Sequence, residues 1–168
     1  MQTPTSPDSR VQRTLSIGAP AETLLRAWCD PQVQQRLLAD WAMLVSGDEQ
    51  RMVWSIRLPG ARQMRLESRQ AEAVPGQRVR YVSEGEHDVR LDTELSVRPA
   101  PADFGTEARL RVGYALPGGA VAETLVKWLG SAPERVLGTV LRRFKALLET
   151  GEVPTLERNP SAREDDRR

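Results

Sequence analysis

The 168-residue sequence contains one cysteine, Cys29, and one histidine, His87. A single thiol closes no internal disulfide, and one thiol with one imidazole assembles none of the usual zinc spacings. The chain therefore reads as reduced and cytoplasmic, with no metal and no other cofactor. Lysine is scarce as well, being confined to Lys127 and Lys145, so the positive charge is nearly all arginine. Twenty-four basic against twenty-three acidic side chains leave a formal charge of +1, which supplies no field toward phosphate backbones or anionic lipid. Aromatics are only 5% of the residues, and none interleaves the arginines as a stacking platform for bases. No apolar run approaches the roughly 20 residues that span a bilayer, and the opening MQTPTSPDSR lacks the apolar core of an export signal. Neither a nucleic-acid partner nor stable membrane insertion is expected.

What is present is enough apolar material, 39% of residues, for one ordinary core. Residues 1–9 are rich in Pro, Ser and Thr, and residues 152–168 mix prolines with charge, so both ends are expected to be disordered around one domain at 10–151. Val11, Leu15 and Ile17 alternate with polar residues as a half-buried strand that stops at Gly18. Pro20 and Glu22 suit the first turn of a helix whose apolar stripe is Leu24, Leu25 and Trp28. Asp30 is a good N-cap for a second short helix carrying Pro31, Val33, Leu37 and Leu38.

From Trp41 to Leu116 the period becomes two, with turn signals at Gly47, Gly60, Gly76, Gly85 and Gly105, which predicts an antiparallel meander. Its apolar parity runs through Met52, Trp54, Ile56, Met64, Leu66, Val79, Tyr81, Val89, Leu91, Leu95, Val97, Leu110, Val112, Tyr114 and Leu116. The opposite parity is charged with mixed signs, as cross-strand pairing in water favours. Gly118-Gly119 leads into an apolar stripe at Ala122, Leu125, Val126 and Leu129, and Ser131-Ala-Pro-Glu134 has capping-box spacing. A long amphipathic helix then carries Val136, Leu137, Val140, Leu141, Phe144, Leu147 and Leu148 to a stop at Gly151. These elements predict an α+β layer structure with the last helix on the sheet's apolar face.

In the order of its elements and in several local strings the chain resembles the START-like, helix-grip superfamily (SRPBCC), within it the polyketide cyclase/dehydrase and lipid-transport proteins. The strings are Ile17-Gly-Ala-Pro-Ala-Glu22 after the first strand, Trp28-Cys-Asp-Pro31 ahead of Trp41, and Phe144-Lys-Ala-Leu-Leu-Glu-Thr-Gly-Glu-Val-Pro154 at the end. The resemblance implies a curved antiparallel sheet wrapped around the long C-terminal helix, with two short helices after the first strand. It also implies a cavity between sheet and helix for an apolar or amphipathic small molecule, and it leaves catalysis open.

If that cavity exists, its wall comes from Trp54, Met64, Leu66, Tyr81, Leu91, Thr93, Leu95, Leu110, Val112 and Tyr114 on the sheet, and from Leu125, Trp128, Leu129, Val136 and Val140 on the helical side. Ser68 and Ser83 share the same parity, and every one of these positions is equally compatible with a closed core. No carboxylate falls inward: Glu67, Asp92, Glu94 and Glu107 lie on the charged parity unless a bulge flips them. His87 sits in a polar turn, and Cys29 reads as a packed thiol rather than a nucleophile. No catalytic residue is assigned. Residues 119–129 form a separately capped stretch placed to act as a gate over the mouth of the cavity.

Three functions stay open. The preferred one is binding or transport of a lipid, quinone or polyketide-like molecule. A cyclase/dehydrase-like enzyme would use the hydroxyls of Tyr81, Tyr114 or Ser83, and an interaction module would use the groove for a partner's apolar segment or for a homodimer.

Overall fold

Period-two alternation carries seven strands, and the computed structural model, which describes residues 9–58, 60–86, 89–115 and 133–152, joins them in one antiparallel sheet. The strands are β1 (Ser9–Ile17), β2 (Ala42–Gly47), β3 (Arg51–Leu58), β4 (Arg62–Val74), β5 (Arg78–Gly85), β6 (Arg90–Pro99) and β7 (Thr106–Ala115). Their spatial order is β1-β7-β6-β5-β4-β3-β2, a meander with the first strand returned beside the last. Helices α1 (Ala21–Trp28) and α2 (Pro31–Leu38) follow β1, and α3 (Pro133–Thr150) ends the described chain. The curved sheet closes on α3 in the helix-grip arrangement. Ser9 belongs to β1, opposite Tyr114, rather than to the disordered tail expected at residues 1–9. Residues 1–8 and 153–168, the Gly118-Gly119 lead-in and the proposed gate at 119–129 lie outside the described residues.

The register decides which side chains face inward. β5–β6 and β6–β7 pair without interruption, and the shift in β4 falls between Gln70 and Glu72, beyond Ser68. The alternation Met64, Leu66, Ser68 is therefore kept, and Glu67 points outward. The four carboxylates expected on the charged parity pair on the outer face as Arg51–Glu67, Arg80–Asp92, Arg111–Glu94 and Arg98–Glu107. Hydrogen bonding to Arg51 holds the Glu67 carboxyl below its ordinary range, and hydrogen bonding to Asp92 raises Arg80. Exposed pairs of this kind contribute little stability each.

The two short helices are set by their caps. The Asp30 carboxylate accepts from the Gln32 backbone N–H at 2.9 Å, with Pro31 in the first turn. Pro20 proves to be the N-cap residue of α1 rather than part of its first turn, in extended conformation at φ −65°. The next residue of α2 to matter is Gln35, whose side chain lies along the outer edge of the sheet. Its amide donates to Ala42 O at 3.1 Å and accepts from Leu44 N at 2.6 Å, so one side chain takes the place of an eighth strand. A bare edge invites pairing with another chain, and β2 also exposes Met43 and Val45. Gln35→Ala is expected to cost about 1–2 kcal/mol in urea unfolding. It should also raise the aggregation rate; unchanged stability and solubility would mean that the edge needs no such cover.

Helix α3 is fixed along its whole length. At its C-terminal half Leu141 and Phe144 are fully enclosed, and Phe144 meets Trp28 edge to face with ring centroids 5.3 Å apart. Lys145 Nζ donates to Ser16 O at 2.8 Å, and Gly18 N donates to Glu149 Oε1 at 2.8 Å, tying the helix to the end of β1. The Lys145 and Gly18 contacts hold the Glu149 carboxyl below its ordinary range. Gly151, at φ +80°, ends the helix by donating to Leu147 O. Gly105 at φ +84° is required where β7 begins, because a Cβ there would collide with Ile17 O. Beside it Thr106 Oγ1 donates to Ala19 O at 2.6 Å.

Candidate functional site

The core is unevenly filled. Ile17, Leu24, Leu95, Val97, Ala108, Leu141 and Phe144 pack solidly where α1 and the C-terminal half of α3 meet the sheet. Under the N-terminal half of α3, by contrast, an apolar cavity of about 240 Å³ remains. The difference follows from side-chain choice along α3. Leu141 and Phe144 reach the sheet, whereas Pro133, Val136 and Val140 are too short to fill the space below them.

Of the fifteen residues expected at a cavity wall, the structure brings eleven together: Trp54, Met64, Leu66, Tyr81, Leu91, Thr93, Leu110, Val112, Tyr114, Val136 and Val140. Leu95 is not among them. It is fully enclosed elsewhere along β6, the strand against which α1 packs, because strand parity specifies a face and not the position along it. Leu125, Trp128 and Leu129 lie outside the described residues, as does His87.

Sequence reasoning missed the wall contributed by the short helices and by the edges of the sheet. Val11 comes from β1, and Trp28, Gln34, Leu38, Trp41 and Ala42 come from the α1–α2–β2 segment. A signal existed for Gln34, which precedes Leu37 and Leu38 by three and four residues and so shares their helix face. Gln34 is 9% exposed, and its amide donates to Trp28 O at 2.7 Å. It therefore locks the α1–α2 corner and presents an amide to the cavity.

A second missed residue supports the wall from behind. Arg143 is 5% exposed, an unusual burial for a guanidinium. Its Nη1 donates to Leu37 O at 3.1 Å, its Nη2 pairs with Asp40, and its carbon Cζ lies 5.2 Å from the centre of the Trp41 ring. The C-terminal end of α2 and Trp41 are thus clamped onto α3.

The polar content of the wall is small. Among the described residues it holds no carboxylate, lysine, arginine or histidine, and no three His, Cys, Asp or Glu side chains gather as a metal site anywhere. Tyr81 lines the cavity with its ring, but its hydroxyl donates to Glu49 O at 2.6 Å and so has no proton left to give a substrate. Burial pushes this hydroxyl well above its ordinary range, and burial likewise raises the Cys29 thiol beside it. Cys29 is half-buried and packs against the core, in keeping with the packed thiol that its sequence context suggested. The remaining polar groups are the Gln34 amide and the hydroxyls of Ser68, Ser83, Thr93 and Tyr114. Uncharged and mostly apolar, this wall can shield a greasy molecule and offers little for acid–base chemistry.

No family model matches the chain, and no curated protein matches it either. Solved structures do resemble it. Protein DR_A0006 of Deinococcus radiodurans is 25% identical, with a TM-score of 0.65 over 86% of this chain and 100% of that one. A conserved protein of Geobacillus kaustophilus is 10% identical with a TM-score of 0.62, covering 82% of this chain and 93% of that one. DynU16, a protein of the dynemicin biosynthetic locus, is 16% identical with a TM-score of 0.56; the match takes in 88% of this chain and 49% of that one. These likenesses agree with the helix-grip fold.

Proposed function

We propose that this chain binds or carries an apolar or amphipathic small molecule in the cavity between the sheet and α3, as a lipid-, quinone- or polyketide-binding member of the START-like superfamily. The observation that carries the reading is a mostly apolar space of about 240 Å³ whose described wall contains no carboxylate, lysine, arginine or histidine. The likeness to a protein of the dynemicin locus is in keeping with a polyketide-like guest. Apolar burial would supply the affinity. At about 25 cal/mol per Å² removed from water, a few hundred square ångströms of ligand surface give several kcal/mol before the entropy of association is subtracted.

A cyclase- or dehydrase-like activity would need a titratable group within hydrogen-bond reach of its substrate. Tyr81, one hydroxyl such a mechanism would use, is engaged by Glu49 O. Binding without turnover is therefore the reading favoured. Native mass spectrometry of the purified protein is expected to find a copurifying apolar compound, released on denaturation. An unliganded mass, together with failure to take up any apolar probe, would refute the reading.

A further inference from the structure

The hydroxyls left over in the cavity are arranged, not scattered. Ser68 and Ser83 stand directly opposite each other across β4 and β5. Thr93 stands opposite Tyr81 across β5 and β6, which places it diagonally from Ser83. All three face the cavity, in a wall that is otherwise apolar around Trp54, Leu66 and Leu110 apart from the Gln34 amide and the Tyr114 hydroxyl. Ser68 is 8% exposed and Ser83 5% exposed, and among the described residues none of the three side-chain hydroxyls has a hydrogen-bond partner. Among the same residues no completely enclosed side-chain nitrogen or oxygen lacks a partner, so these hydroxyls open onto the cavity.

Hydroxyls withdrawn from water without a partner are destabilising, and a wholly apolar guest would leave them in that state. Alanine and valine would serve such a guest better at these positions. A hydroxyl both donates and accepts, so a group of three suits a carbonyl or an alcohol. A carboxylate is a different case. It would bring a charge into a wall whose described residues include no cation, and the buried Arg143 is already engaged with Asp40, Leu37 O and Trp41.

We infer that the cavity takes a neutral ligand bearing a ketone or alcohol, and seats that group on Ser68, Ser83 and Thr93; the inference rests on the binding role proposed above. The apolar remainder of the ligand lies against Trp54, Leu66 and Leu110. The hydroxyl cluster therefore sets which end of the guest enters and selects against fatty acids and other anions.

Tryptophan fluorescence titration with naphthalene, 2-acetylnaphthalene and 2-naphthoate at pH 8 tests this, the three probes sharing one apolar body. 2-Acetylnaphthalene is expected to bind about tenfold more tightly than naphthalene, and naphthoate more weakly than either. The Ser68→Ala, Ser83→Ala, Thr93→Val triple variant should bind naphthalene at least as tightly and lose the preference for the ketone. Ser83→Ala alone, expected to lose about threefold of that preference, serves if the triple variant does not fold. Equal binding of all three probes, tightest binding of naphthoate, or a ketone preference that survives the substitutions would overturn the inference while leaving the binding role intact. Failure of every probe to bind would overturn both.

Discussion

Val136→Phe is expected to weaken binding of an apolar probe such as naphthalene by more than about 100-fold while leaving the melting temperature unchanged or higher. Val136 projects from the first turn of α3 into the cavity and is only half-buried among the described residues. In a closed core, added ring atoms force neighbours off their rotamers and cost about 1–3 kcal/mol. In a cavity they occupy space that a guest would otherwise fill, gaining buried apolar area at about 25 cal/mol per Å². The two signs separate a packed interior from a binding space in one variant. Thermal melts and probe titrations check it, and a destabilised Val136→Phe that still takes up the probe would place the open space elsewhere.

Arg143→Met is expected to cost about 2–3 kcal/mol in urea unfolding and to weaken probe binding at the same time. Methionine fills much of the stem's volume, so the loss is chiefly polar. Leu37 O loses its donor and Trp41 loses the cation over its ring. Asp40, 44% exposed at its side chain, is rehydrated, and for that reason the penalty stays below that of a fully buried broken pair. Binding should fall with stability because the clamped segment carries Leu38, Trp41 and Ala42 into the wall. A variant as stable as the parent, within about 0.5 kcal/mol, would show that apolar packing alone holds α2 to α3.

The sheet and α3 were legible because each has one unambiguous period. Two-residue alternation in Met64-Arg-Leu-Glu-Ser68 needs no tertiary information to choose its inward set, and the bulge that threatened the reading lies beyond Ser68. Asp30-Pro31 marked a helix start by local chemistry alone, and the side chain of Asp30 caps it as expected. The failures arose where position in depth or an inward-facing polar group mattered. Leu95 has the right parity but is enclosed away from the cavity on β6, the strand against which α1 packs, and nothing in a strand's own alternation can place it there. Gln35 and Arg143 look like solvent-facing residues of amphipathic helices, and Gln34, on the face of Leu37 and Leu38, is a polar side chain with no partner readable in the sequence. They are turned inward or against the sheet edge because Trp28 O, the free edge of β2, and Leu37 O with Asp40 offer partners that only tertiary structure brings near. A hydroxyl pair such as Ser68 and Ser83 could be read as same-parity polar residues, but their direct opposition depends on the β4–β5 register.

A crystal structure determined under xenon pressure would probe the space beneath α3 most directly, since xenon enters apolar voids without needing a polar partner. Xenon density bounded by Trp54, Leu66, Leu110 and Val140 is expected. Continuous side-chain density there, with no xenon and no displaced guest, would contradict a ligand cavity in this protein.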